Sequence, residues 1–403
     1  MSMRMSTAGL HTSALATMLA QQTALSKTQN QIALGRRVNS PADDPVASVH
    51  IMELQRSLQE TEQYGKNSDM ATNRLNTEET ALTSVGTLLQ RVQELALQAN
   101  NATVDGAGRK MIATEMQARI SELLDIANQK DANGEYLFAG YATKTQPFSQ
   151  IGGTTSYFGD QNSRQLQVGP TQKVADSHSG YEVFMDIAQG NGTFVVGAAT
   201  TNTGDAVIGV GSVTNLAQWV PDDYTITFDD AAGHYQVFDS GAPPTAVTSG
   251  TYTPGGSIAF NGVKVDLTGM PANGDSFTVS RSRSEDLFAT LNNLVATVVS
   301  SPTTTAQKAQ FNVSMGKALQ QLDQSSDHLL SVRAQVGARL STLDNAAVAR
   351  EDQQVQLKTM TSDLRDLDYA EAITRMNQQL MGLQAAQASY SRISQLSLFD
   401  YLG

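Results

Sequence analysis

The sequence predicts an α+β multidomain, elongated chain. A long antiparallel helical coiled coil and rod built from both termini should carry an all-β insertion domain in the middle. Three observations lead there. Both ends are poor in charge and hold apolar residues at heptad spacing, a helix-period run extends from Val46 to about Ala99, and between about 136 and 283 the apolar period falls to two. The elongation follows from length. A helix over 46–99 is about 80 Å long at ~1.5 Å per residue, whereas a compact globule of this size is about 55 Å across.

The first helix is expected over 8–34, a stretch of Ala, Leu, Gln and Thr without proline. Leu15, Met18, Leu25 and Ile32 fall on one stripe that Gln22 and Gln29 complete, and Gly35 suits the position just past the helix end. The segment SPADDP (40–45) reads as a helix start: Asp44 can cap and Pro45 can occupy the first helical position, and Gly35, Ser40, Asp43, Asp44 and Pro45 together make the expected domain hinge and helix cap. Along the second helix Leu75, Leu82, Val85, Leu89, Val92, Leu95 and Ala99 share one face. Gly65 and Gly86 weaken it, each by about 1 kcal/mol relative to alanine. A third helix is expected from about Arg109 to Lys130, with Ile112, Met116, Leu123 and Ile126 apolar.

In the middle, 224–240 reads as two strands around a turn at Ala231–Gly233, and 257–269 as a hairpin turning at Asn261-Gly262. A last strand falls in 274–280. Helix is expected to return at Ser284. A seven-residue seam then runs through Met315, Ala318, Leu322, Leu329, Val332, Val336, Leu343 and Ala346, with Ser325 and Arg339 as polar exceptions. A final helix carries Ile373, Met376, Leu380, Leu383 and Tyr390, broken by Gln387, before Leu396 and Leu398 in the SLFDYLG ending. The expected domains are 1–42 with 362–403 as a terminal coiled-coil assembly domain, 43–180 with 281–361 as a helical rod, and 181–280 as an outward β domain.

Composition narrows the function. The net charge of -12 in 403 residues argues against a nucleic-acid partner, which favours a basic face. Residues 181–280 hold ten acids and one base, Lys264, while 1–42 hold no acid at all. The absence of cysteine excludes a disulfide framework, a thiolate metal site and a cysteine nucleophile. No secretory signal peptide and no membrane-spanning run are visible, so no membrane insertion is expected.

Nothing in the chain reads as an enzyme. The five histidines are scattered, without metal-ligand spacing, and no nucleophile elbow, zinc-protease or phosphate-loop motif stands in the sequence. The acid pairs Asp43-Asp44, Asp222-Asp223 and Asp229-Asp230 are explained by capping and turn solvation. No cofactor is expected. What the sequence does emphasise is its termini. Helices with apolar, Gln, Ser and Thr faces and almost no charge lack the solvated face of a monomer's surface helix. Their stripes need partners, in the same chain and in copies of it.

Several segments resemble a known family. LSKTQNQIALGRRVNSPADDP (25–45) and LLQRVQELALQANNAT (88–103) resemble the N-terminal region shared by flagellins and flagellar hook-associated proteins. VGARLSTLDNA (336–346) and YAEAITRMNQQLMGLQAAQASYSRISQLSLFDYL (369–402) resemble their C-terminal region. Asp43-Asp44-Pro45, NGEYLFAGYATKTQPF (133–148) and the SLFDYL ending favour the hook–filament junction branch over flagellin. VKVDLTGMPANGDSFTVS (263–280) is similar to a β segment of hook-associated proteins.

The resemblance implies a structural subunit that joins hook to filament. It implies self-assembly into a ring through both terminal helices, with a neighbouring hook-associated protein and flagellin as further partners. It also implies export through the flagellar type III apparatus and a cytosolic export chaperone on the C-terminal helix. The family usually opens near Met-Arg, so Met1-Ser2 departs from the pattern. Flagellin itself, and a secreted protein whose β segment binds a ligand, are the alternative readings.

Overall fold

Heptad spacing of apolar residues yields helices at both ends of the chain, and alternation yields strands between them. The computed structural model describes residues 7–101, 103–229 and 233–395. Its helices are α1 (Thr7–Leu34), α2 (Pro45–Ala99), α3 (Gly106–Ala127), α4 (Leu287–Val299), α5 (Thr305–Arg365) and α6 (Tyr369–Gln395). The chain forms two compact units, 1–66 with 346–403 and 67–345, and α2 and α5 contribute to both.

In the unit 67–345 the seams of α2 and α5 lie in one core. Leu75, Leu82, Val85, Leu89, Val92 and Leu95 are at most 1 % exposed, and Met315, Leu322, Val332 and Val336 of α5 are equally covered. Ile112, Met116 and Leu123 of α3 and Leu291, Leu294 and Val298 of α4 join the same core. At ~25 cal/mol per Å2 of apolar surface removed from water, such seams outweigh the weak propensity of the glycines within them. Gly86 is helical within this seam, and a Cβ there would make only an ordinary contact, 3.5 Å from Leu329 Cδ2. The polar exception Ser325 is buried, its hydroxyl donating to Gln321 O at 2.7 Å.

The loop after α3 is a core plug. Leu137, Phe138 and Phe148 are fully buried. Phe138 and Phe148 each stand edge-on to Phe184, at 5.2 and 5.5 Å between ring centroids. Two hairpins follow, β1 (Phe148–Ile151) with β2 (Thr154–Tyr157) and β3 (Gln165–Gln167) with β4 (Lys173–Ala175).

Next come β5 (Ile187–Ala188), β6 (Phe194–Ala198), β7 (Val207–Ile208), β8 (Ser212–Val213), β9 (Tyr224–Phe228), β10 (His234–Phe238), β11 (Ala246–Thr251), β12 (Ser257–Phe260), β13 (Val263–Thr268), β14 (Ser276–Arg281) and β15 (Ser284–Glu285). An antiparallel five-stranded sheet has the order β11-β10-β9-β14-β6, and a second has the order β12-β13-β7 with β8 also on β13. Their inner faces share a core of Phe194, Tyr224, Ile226, Phe228, Val265, Leu267 and Phe277, which Val313 of α5 also enters.

The β12–β13 hairpin turns on Asn261 (φ 41°) and Gly262 (φ 75°), the pair of positive φ values that a tight two-residue hairpin requires. Of the β9–β10 turn, residues 230–232 lie outside the described residues.

Three details differ from expectation. Helix does not return at Ser284: Ser284 and Glu285 pair with β5, and α4 starts at Leu287, where Asp286 caps it by accepting from Ala289 N at 2.5 Å. The third helix begins at Gly106, three residues early, because Asp105 caps it through Gly108 N at 2.7 Å. The third is a pairing that the sequence did not indicate, although the histidines remain apart from one another as expected. His178 is fully buried with Nδ1 2.8 Å from Glu78 Oε1, and its backbone N–H donates to the same oxygen at 3.1 Å.

Beside that pair, Arg74, 3 % exposed, donates to Asp131 Oδ2 at 2.6 Å and Tyr136 O at 2.9 Å, while Arg164 holds Asp176 at 2.6 Å. These bonds tie α2 to the loops around 131–136 and 176–178. A buried charge is tolerated only with such partners. Among the described residues no group of three His, Asp or Glu side chains is placed to hold a metal ion.

Candidate assembly site

The unit 1–66 with 346–403 is built on the antiparallel pairing of α1 with α6. Gln21 packs at Gly382 and Gln31 Oε1 accepts from Arg375 at 3.5 Å. The layer is thin. Between Thr12 and Ala24 no residue is buried; burial starts at Leu25 (8 % exposed), Thr28 (3 %) and Gln31 (8 %). Along α6 up to Arg392 only Ala372 is buried.

Leu25 is therefore buried, Met18 and Ile32 are half-buried, and Leu15 is 45 % exposed. On α6, Met376, Leu380, Leu383 and Tyr390 are half-buried and Ile373 is 45 % exposed. Leu396 and Leu398 lie outside the described residues.

The covered stripe of α1 runs through Ala14, Met18, Gln21, Leu25, Thr28 and Ile32, so that Gln22 and Gln29 face outward with Leu15. The physical reason is the near absence of charge. With Lys27 the only charged residue in α1, every face is tolerable to a partner, and composition cannot select which one α6 covers. The face left open carries Leu15, Leu19 and Leu34.

At the base of this pair two elbows meet. Gly35 ends α1 with φ +65°, and a Cβ there would stand 2.8 Å from the Tyr369 hydroxyl. Only glycine meets both demands without strain. Arg37 N donates to Arg365 O at 2.7 Å and Leu367 N to Gly35 O at 3.1 Å, so the α1–α2 and α5–α6 connections form one short antiparallel bridge, Arg36 opposite Asp366. Arg37 also donates to Leu364 O at 2.7 Å and pairs with Asp44 at 3.2 Å, while Gln31 donates to Arg37 O at 2.6 Å.

Asp44 accepts from Ala47 N at 3.0 Å, which caps α2 just before Pro45. Asp43 Oδ2 accepts from Asn39 N at 3.1 Å and from Ser40 N at 2.9 Å and Oγ at 3.2 Å, and Lys27 of α1 reaches Asp43 Oδ1 at 2.8 Å. The Lys27 ammonium first, then the Ser40 N–H, pull the Asp43 carboxyl from its ordinary 3.8 down to about 2. Asp368 caps α6 through Ala370 N at 2.9 Å. The elbow's other half (Lys27, Gln31, Arg37, Leu364 to Asp366, Tyr369) was not marked by sequence reasoning. The available signal was Lys27 itself, a lone charge in an otherwise uncharged helix.

This arrangement offers apolar faces and a hydrogen-bonded joint, and among the described residues no convergent set of acid, base and nucleophile. Among the described residues no helix is long and apolar enough to cross a membrane.

The fold and its terminal pair define a flagellin-type structural subunit. Residues 5–143 match the bacterial flagellin N-terminal helical region, 319–402 the bacterial flagellin C-terminal helical region, and 198–281 the D2-like domain of flagellar hook-associated protein 1. The chain is 25 % identical over 398 residues to flagellar hook-associated protein 3 of Salmonella typhimurium, covering 99 % of both chains. The crystal structure of FlgL from Xanthomonas campestris is similar with 35 % identity and a TM-score of 0.71, over 77 % of this chain and 99 % of that one. The flagellar junction protein FlgL of Legionella pneumophila is similar with 34 % identity and a TM-score of 0.69, over 79 % and 100 %. The chain belongs to the flagellar hook-associated protein 3 (FlgL) family.

Proposed function

We propose that this protein is the subunit joining hook to filament in the bacterial flagellum, assembling through α1 and α6. One observation carries the reading beyond family membership. Half of the exposed large apolar side chains among the described residues lie in 1–66 and 346–403, less than a third of the chain. Isolated apolar residues on a surface need no explanation, but a concentration in one unit marks an interaction surface; half of these residues lie on α1 and α6 and the other half on the adjoining parts of α2 and α5. Copies of the same helices, in a ring, would cover Leu15, Leu19, Ile373 and Met381, and a neighbouring hook-associated protein and flagellin would close the ring's two sides.

In this reading segments 1–42 and 362–403 form the assembly domain, 43–180 with 281–361 the rod, and 181–280 the outward β domain. The chain travels to the extracellular flagellum by the flagellar type III route after a transient stay in the cytoplasm, where an export chaperone masks α6. A cysteine-free chain suits that passage into an oxidising exterior.

The test is a deletion strain. We expect hooks without filaments and flagellin released to the medium, both reversed by the wild-type gene. A deletion strain with normal filaments overturns the reading, as would long filaments formed by the purified protein alone under polymerising conditions.

A further inference from the structure

A cavity of about 450 Å3 opens between the first turn of α3 and the first turn of α5. Arg109 and Lys308 line it together with Asn100, Ser301 and Asn312, and no carboxylate does among the described residues. Elsewhere in the same unit Arg74, Arg91, Arg119, Arg164 and Arg333 each have a carboxylate within 2.9 Å. Neither Arg109 nor Lys308 has one within ion-pair distance among the described residues. The nearby Asp105 is engaged as the cap of α3, accepting from Gly108 N at 2.7 Å.

The arginine is also held in place. Its guanidinium lies 4.6 Å over the ring centre of Phe311, a side chain of the rod core that is 7 % exposed. Stacking of this kind removes rotamer freedom before a ligand arrives, which lowers the entropy cost of binding. Arg109 Nε is buried with no acceptor among the described residues. That nitrogen is closed to solvent, as are Arg74 Nε and Arg119 Nε, so a ligand in the cavity would meet Arg109 through the rest of its guanidinium. The starts of the two long helices add positive potential at the same mouth.

We propose that this cavity binds an oxyanion, with the Arg109 guanidinium and the Lys308 ammonium as its charge partners and the Ser301 hydroxyl and the Asn100 and Asn312 amides as neutral donors. Phosphate and the carboxylate of an acidic side chain share this chemistry. Residues 181–280 of a second copy, with ten acids against one base, are a source of the latter.

The experiment titrates the full-length soluble protein at low salt with inorganic phosphate and, separately, with N-acetyl-aspartate amide, followed by calorimetry. Saturable binding of at least one probe is expected, weakened about tenfold or more in Arg109→Gln and in Lys308→Gln, a loss of about 1.4 kcal/mol, and weakened by added salt. Phosphate binding alone identifies a free oxyanion; binding of the aspartate probe identifies a side-chain carboxylate. Because Arg109→Gln also removes a stacking partner of Phe311, circular dichroism melts accompany it, and Lys308→Gln decides if that variant fails to fold. Absence of saturable binding by both probes, or binding unchanged in Lys308→Gln, overturns the proposal.

Discussion

Asp43 and Gly35 show how much one residue contributes to the elbow. Asp43 accepts from three donors in its own turn and from Lys27 of α1, and its carboxyl sits at about 2 instead of 3.8. A carboxylate depressed in this way stabilises the folded form at any pH above its ordinary value and withdraws that contribution as pH falls through its folded value. Thermal melts of the wild type and Asp43→Asn should therefore differ most above about pH 4 and converge as pH approaches 2. A difference that persists unchanged at pH 2 means that Asn fails for steric reasons and the ion pair is irrelevant.

At Gly35 alanine meets two penalties, the left-handed backbone and the Tyr369 hydroxyl 2.8 Å from the new Cβ. Gly35→Ala should cost about 1–3 kcal/mol in urea unfolding of the helix pair. Adding Tyr369→Phe should recover the steric part only, so full recovery would show that backbone strain contributes nothing. Asp44 as a cap and Gly35 as a helix end were legible because both act on backbone groups within a few residues. Lys27, Arg37 and Tyr369 were not, since their partners lie across the chain or in another helix.

Elements divide into those with seams and those without. α2 and α5 show apolar seams against polar remaining faces, and sequence spacing alone selects the buried residues Leu75 to Leu95 and Met315 to Leu343. α1 has no such contrast, and the face it presents to α6 was assigned one position off on alternate turns. The two kinds of stripe should respond differently to truncation. Leu89→Ala, in a fully packed core, should lower stability by about 2–5 kcal/mol. Leu15→Ala, on an exposed face, should leave the monomer within about 0.5 kcal/mol of wild type yet reduce incorporation into flagella, scored by motility and electron microscopy. Equal destabilisation by both would remove the distinction between core and assembly stripes.

For the whole molecule, the thinness of the α1–α6 layer is the informative feature. Two helices that bury so few side chains gain little beyond their intrinsic propensity. Hydrogen exchange of the soluble monomer should accordingly be rapid over 12–34 and 369–392 and slow over 75–99 and 315–343. Strong protection of the terminal pair in the monomer would sink the view that it requires copies of itself. The buried groups Arg74, Glu78, Asp176 and His178 belong to this scale too. They join positions up to about a hundred residues apart, and removing one partner should cost more than replacing a surface ion pair.

The sequence by itself determined the helix–strand–helix order, the seams of α2 and α5, the hairpin turn at Asn261-Gly262 and the flagellar resemblance. All of these rest on periodicity, local turn chemistry or short contiguous motifs, which a linear chain displays directly. Only the tertiary structure decided which face of α1 meets α6, how the two elbows lock through Arg37 and Arg365, that His178 is paired with Glu78, and that Arg109 and Lys308 share a cavity. Each depends on side chains brought together across long stretches of chain. Packing free energy sets such contacts, and residue spacing carries no record of them.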